Sequence, residues 1–152
     1  MSADPRAEAT TVAVRLAIYR EIERSGSAPT LAAVASALKL QAAAVERAVH
    51  TLADAHVIVL HPASGEIKWA PPFSTEPTPF RVRAGRSAWF APCAWDAFGI
   101  PAAIDADARI DARCAWSGEP VPCGVEHGNA YGSGLVHLLV PAAHFWDDIA
   151  YT

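Results

Sequence analysis

Apolar residues recur at helical spacing in the first third of the chain and at alternate positions further on. Residues 6–25 carry Val12, Val14, Leu16, Ala17, Tyr19 and Ile22 at roughly helical intervals, which predicts an amphipathic helix. Ser25-Gly26-Ser27 ends it. Thr30 caps a second short helix, with Leu31, Val34, Ala35 and Leu38 on one face. Residues 41–55 predict a third helix with Val45, Ala48, Val49 and Leu52 inward. Val57-Ile58-Val59-Leu60 then reads as a strand. Pro62-Ala63-Ser64-Gly65 reads as a turn, and Glu66-Ile67-Lys68-Trp69-Ala70 as the returning strand.

Beyond this hairpin the style changes. Residues 71–79 hold four prolines in nine positions, an extended and stiff composition that predicts a linker. Phe80-Arg81-Val82-Arg83 and Ser87-Ala88-Trp89-Phe90 predict two strands around Ala84-Gly85-Arg86. Cys93 to Phe98 reads as a short helix, ended by Gly99 and Pro101. Residues 108–114 alternate and predict a strand, as does Val121–Val125 after the turn Ser117-Gly118-Glu119-Pro120. Gly134 to Val140 is the strongest strand pattern of all. The expected class is α+β: a three-helix segment with a hairpin (1–70), a Pro-rich linker (71–79), and a small antiparallel-sheet domain with short helices (80–152).

Three helices followed by a hairpin is the order of a winged helix, so a nucleic-acid role has to be weighed. Within residues 1–70 seven basic and seven acidic side chains cancel. The outward positions of the third helix are Gln41, Ala42, Ala43, Glu46, Arg47 and His50, a poor surface for phosphates. The whole chain of 152 residues carries a net charge of −4. Neither a nucleic-acid nor a membrane partner held by charge is expected. A hydrophobic share of 52% against 18% charged residues supports a real core and excludes a disordered chain. No apolar run reaches the length of a membrane span, and no secretory signal opens the chain. Three cysteines, an odd number without such a signal, predict reduced thiols and a cytoplasmic protein.

The chemistry concentrates at Cys93 and Asp96. If Cys93 opens a helix, the two side chains share a face one turn apart. There a thiol could hold a soft metal while a carboxyl moves a proton. A helix N-terminus is expected to lower the thiol pKa. The plain alternative is a buried cysteine and a first-turn acid. Cys114 and Cys123 flank the Ser117–Pro120 turn. If they face each other they could form a disulfide or share a metal; otherwise they are packing residues. His127, His137 and His144 form no spaced ligand set. Tyr131 sits in a glycine-rich run that lacks the strand-to-helix context of a phosphate loop. Trp89, Trp95, Trp116 and Trp146 are core residues or the walls of an apolar pocket.

Three blocks, taken in order, carry a resemblance. They are Pro77-Thr78-Pro79-Phe80-Arg81-Val82, then Trp89-Phe90-Ala91-Pro92-Cys93-Ala94-Trp95-Asp96-Ala97-Phe98-Gly99-Ile100-Pro101, then Arg113-Cys114-Ala115-Trp116-Ser117-Gly118-Glu119-Pro120-Val121. Together they resemble the alkylmercury (organomercurial) lyases. The resemblance implies protonolysis of a carbon–mercury bond, giving a hydrocarbon and Hg(II), with no bound cofactor and with small thiols needed for turnover. It assigns mercury to Cys93, the proton to Asp96 and a structural part to Cys114. It also implies a winged-helix-like N-terminal domain used for folding rather than for DNA. The family's second active-site cysteine would follow the segment matching residues 145–152, and the sequence stops at Thr152. The catalytic domain is therefore expected to be C-terminally incomplete, with Cys123 as the candidate substitute thiol. The expected partners are an organomercurial and Hg(II), with a second copy of the chain closing an open sheet edge. Two further readings stand beside the enzyme: a catalytically impaired relative that binds Hg(II) or another soft metal through thiols, and a winged-helix regulator with a sensor domain.

Overall fold

The structure, a computed structural model, describes residues 4–149. Three helices come first: α1 (Pro5–Ser25), α2 (Leu31–Leu38) and α3 (Ala42–Asp54). Asp4 caps α1 by accepting from the Arg6 N–H at 3.0 Å. Gly26 ends the helix with φ 74°, its N–H returning to the Ile22 carbonyl at 2.7 Å, a left-handed turn that costs glycine little. Thr30 caps α2 as expected, accepting from the Ala33 N–H at 3.1 Å.

The buried stripe of α1 is Val14, Ile18 and Ile22, one residue every fourth position. Val12 and Leu16, counted as apolar helix positions in the sequence, point outward. The α3 stripe is the expected set, Val45, Ala48, Val49 and Leu52. These helices pack on one another, and their buried residues join those of the sheet in a single hydrophobic cluster.

Eight short strands follow: β1 (Val59–Leu60), β2 (Ile67–Ala70), β3 (Phe73–Ser74), β4 (Phe80–Ala84), β5 (Ser87–Ala91), β6 (Ala108–Arg113), β7 (Pro120–Glu126) and β8 (Asn129–Gly132). They form one antiparallel sheet in the order β1-β2-β3-β5-β4-β6-β7-β8. The class is α+β. The Pro-rich stretch 71–79 contributes a strand of its own. Within it β3 bridges β2 and β5, and Phe73 and Ser74 are buried. The sheet thus runs unbroken through the stretch read as a linker.

Helix α4 (Ala94–Ile104) connects β5 to β6 and packs against β4, β5, β6 and β7. Beneath it a buried row crosses the sheet: Trp89, Val82, Ile110 and Cys123, each opposite the next. Residues directly opposite in antiparallel strands project from the same face, so the register alone sets this row. Trp89 ties the row to α1 by donating its indole N–H to the carbonyls of Ile22 and Glu23 at 3.1 and 3.0 Å.

Two expectations are corrected. The helix after Cys93 does not stop at Gly99 and Pro101; it runs through both to Ile104, where Asp105 turns left-handed at φ 49°. An internal proline costs a helix on the order of 3 kcal/mol. Here Ile100 and Pro101 are buried, and their packing offsets that cost. Gly99 serves a close approach instead: a Cβ there would lie 3.1 Å from Cβ of Pro72.

The second correction concerns residues 134–140, the strongest strand pattern. They form no strand, and Leu135, Val136, Leu138 and Leu139 are exposed. The edge beside β7 is taken by β8, from the glycine-rich run around Tyr131. Gly132 and Gly134, with φ of 132° and 134°, then turn the chain off the sheet. The segment returns to the helical part, where the Trp146 ring stacks on His56 at 4.2 Å between centroids.

Candidate active site

Cys93 lies two residues beyond the end of β5, at the N-cap of α4, in extended conformation. Its carbonyl accepts from the Ala97 N–H at 3.0 Å, which closes the first turn. Asp96 stands in that turn. The spacing places both side chains on one helix face, and the Cys93 thiol donates to Oδ2 of Asp96 at 3.2 Å. Both residues are part-buried.

The electrostatics differ from the sequence expectation. Backbone N–H groups of Asp96 and Trp95 do favour the thiolate of Cys93. Burial outweighs them, and with the adjacent negative Asp96 pushes the thiol up to about 11. Burial likewise raises the Asp96 carboxyl above its ordinary value, against the hydrogen bond from Cys93, which lowers it. Desolvation penalises the charged form of either group. The resting pair therefore holds its proton tightly, and a thiolate forms there only when something replaces that proton.

A third group comes from the N-terminal helices. Tyr19 of α1, a helix-face residue in the sequence, shares its O–H between the carbonyls of Val57 and Pro71, at 3.0 and 3.1 Å. Burial raises its phenol pKa; Arg15, whose guanidinium lies 5.6 Å from the ring centroid, works against this, and Asp96 adds to it. Asp96 is thus within electrostatic range of Tyr19. Its only sequence signal was a hydroxyl on an otherwise apolar stripe.

The other cysteines lie elsewhere. Cys123 sits on β7, three strands across from β5, about 14 Å at the usual spacing between strands. Its thiol is buried and faces the Ile110 carbonyl at 4.0 Å. Cys114 and Cys123 do not face each other either. Cys123 pairs with Ile110, whereas the Cys114 N–H bonds the Glu119 carbonyl at 2.8 Å. All three thiols are free. Ser117, through its backbone first and then its side chain, pulls the Cys114 thiol below its ordinary value. Among the described residues no three His, Cys, Asp or Glu side chains gather into a metal-binding group. Trp95 and Trp116 are exposed rather than core, and Trp95 stands beside the Cys93–Asp96 pair in sequence.

This strand–Cys–helix–Asp arrangement falls within a sequence match: the profile of the MerB alkylmercury lyases covers residues 73–152. The chain belongs to the alkylmercury lyase family. Among solved structures, the mercury-bound form of MerB2 superposes with a TM-score of 0.63 and 28% sequence identity. That likeness takes in 80% of this chain, so it extends from the matched region into the three-helix segment. The chain spans 58% of the length of that MerB2 chain. No curated protein sequence matches it. Among the described residues no helix is long and apolar enough to cross a membrane.

Proposed function

We propose that the Cys93–Asp96 pair carries alkylmercury lyase chemistry, the protonolysis of a carbon–mercury bond. The observation that carries this reading is the 3.2 Å hydrogen bond from the Cys93 thiol to Asp96. It joins a soft ligand for mercury to a carboxyl group that can take and return one proton. The family match and the likeness to a mercury-bound relative support it.

The sequence of bonds follows from the pair. With its pKa near 11, the free thiol holds about one part in ten thousand as thiolate at neutral pH. An organomercurial approaching Sγ changes this, because Hg(II) is a soft acid and binds thiolate far more strongly than a proton does at that pH. As the sulfur–mercury bond forms, the thiol proton passes to Asp96, whose raised pKa suits it to hold one. The neutral carboxyl then donates that proton to the carbon bonded to mercury. The carbon–mercury electron pair becomes the new carbon–hydrogen bond. Hydrocarbon leaves, and Hg(II) stays on Cys93 with its remaining ligand. The proton that starts on sulfur ends on carbon, so no resident cofactor is required. A small thiol in solution would lift Hg(II) from Cys93 and supply the next proton.

Part-burial serves the first step, since a carboxyl whose anion is poorly solvated takes up the thiol proton readily and keeps it until carbon receives it.

A second reading rests on the placement of the thiols. Cys93 has no other described cysteine beside it, with Cys123 three strands away. One thiolate pushes less electron density through mercury to carbon than two would. On this reading the chain captures Hg(II) or another soft metal through Cys93 and releases hydrocarbon slowly or not at all.

One assay separates the two. The chain is incubated with an organomercurial and excess small thiol, and hydrocarbon is measured. The lyase reading expects release that Cys93→Ser and Asp96→Asn each abolish. Release no greater than that of Cys93→Ser overturns it. Retention of Hg(II) by wild type but not by Cys93→Ser then leaves the capture reading.

A further inference from the structure

We propose that Tyr19 is a positioning residue for the Cys93–Asp96 pair, acting through the Pro71-Pro72 segment that its hydroxyl anchors beside α4. The proposal rests on the pair being the reactive centre, as described above, and adds a role for the N-terminal helices in making that centre.

Contacts lead from α1 to the site one step at a time. The Tyr19 O–H is bonded to the carbonyls of Val57 and Pro71, so one hydroxyl pins the chain on both sides of the β1–β2 hairpin. The next residue, Pro72, lies against α4 so closely that a Cβ on Gly99 would come within 3.1 Å of it. Gly99 stands three residues after Asp96, and Asp96 three after Cys93, so each neighbours the next along the helix surface. The Pro72 ring therefore forms a wall against α4 one turn beyond Asp96. That wall is held by a residue from the N-terminal helix, Tyr19 standing 52 positions before Pro71.

The wall explains why burial dominates this site. A cysteine at a helix N-cap facing open water would have its thiol lowered by the helix amides; here the thiol is raised, with burial the largest cause. The titratable groups about Asp96 are Cys93 on its own helix and Tyr19 from α1, with Arg15 over the Tyr19 ring. None supplies a positive charge directly on the pair. Exclusion of water is thus the factor that keeps the proton shared between sulfur and carboxyl, and the Tyr19–Pro71 bond holds that exclusion in place.

The test reads the pair directly. The chain is alkylated with iodoacetamide across a pH series, and modification of the Cys93 peptide is followed by mass spectrometry in wild type, Tyr19→Phe, Gly99→Ala and Thr75→Val. The last is a control: Thr75 also shares one hydroxyl between two carbonyls, those of Ile67 and Lys68 at 2.9 and 2.8 Å, but on β2. Tyr19→Phe keeps the ring and loses only the anchor. The expected result is a Cys93 alkylation profile moved to lower pH by about one unit, so that modification near neutrality is roughly tenfold faster. Gly99→Ala, which displaces Pro72 from the other side, is expected to move the profile the same way. Thr75→Val is expected to leave it unchanged. Profiles for Tyr19→Phe and Gly99→Ala that overlay wild type overturn the proposal, as does an equal shift in Thr75→Val. Should Tyr19→Phe fail to fold, Gly99→Ala decides alone. Because alkylation needs no turnover, a failed lyase assay leaves this result standing on its own.

Discussion

The thiol of Cys93 donates to the carboxylate of Asp96 across 3.2 Å at the first turn of α4. Such a contact at a helix N-terminus would ordinarily suggest a reactive thiolate. Its part-burial reverses that, since the cost of desolvating an anion exceeds what a few backbone amides return.

The first prediction is an order of reactivity. Cys93, pushed up to about 11, should alkylate roughly 100-fold more slowly near neutrality than an unperturbed cysteine. Cys114, drawn down by Ser117, should react first, and buried Cys123 slowly. Site-resolved mass spectrometry after brief alkylation gives the order. A Cys93 that reacts before Cys114 contradicts the burial argument.

Asp96→Asn should act on chemistry and on stability in opposite senses. Removing the carboxylate removes a negative neighbour of Cys93, so the thiol pKa should fall and Hg(II) capture persist, while hydrocarbon release is lost. The folded-state pKa of Asp96 is raised by burial. The stability it contributes is therefore present below the ordinary carboxylate range and lost as pH rises through the raised value. At neutral pH the wild type keeps a part-buried anion that asparagine does not. Thermal melts should show Asp96→Asn more stable than wild type near neutrality, with the advantage vanishing in acid. A variant less stable at neutral pH would show that Asp96 is better solvated than its neighbours indicate.

Gly132→Ala should destabilise the β7–β8 edge. A Cβ at this position would lie 2.6 Å from Cβ of Cys123, on a backbone with φ 132°. Overpacking and a strained φ together cost about 1–3 kcal/mol. Urea titration measures the loss, and a change under about 0.5 kcal/mol would mean that the edge relaxes freely.

Trp89→Phe should loosen the bond between sheet and helices. The indole N–H reaches the carbonyls of Ile22 and Glu23 at the end of α1, and its loss should cost about 1–2 kcal/mol. One buried cluster spans the helices and the sheet. We therefore expect one cooperative unfolding transition, by circular dichroism and by tryptophan fluorescence alike, in wild type and variant. Two separate transitions would restore a division near residues 71–79.

Much of the fold was legible because local periodicity is enough for elements that bury one stripe. Val45, Ala48, Val49 and Leu52 are inward on α3 as their spacing says. Failures came where a neighbour overruled the local pattern. Residues 134–140 have the composition of a strand, but a strand needs a partner edge, and Asn129–Gly132 occupies the one beside β7. Gly99 and Pro101 look like a helix end. Burial of Ile100 and Pro101, and the approach of Pro72, carry α4 past them.

The sequence by itself determined the α+β class, the helix start at Thr30, and the one-turn spacing of Cys93 and Asp96. Each depends on residues within a few positions of one another. Only the tertiary structure decided that this pair would be part-buried and proton-bound, that Tyr19 would reach Val57 and Pro71 beside it, and that Cys123 would lie three strands away. Those outcomes depend on strand order and on which surfaces exclude water. Both are set by contacts between residues far apart in the chain, and no local pattern records them.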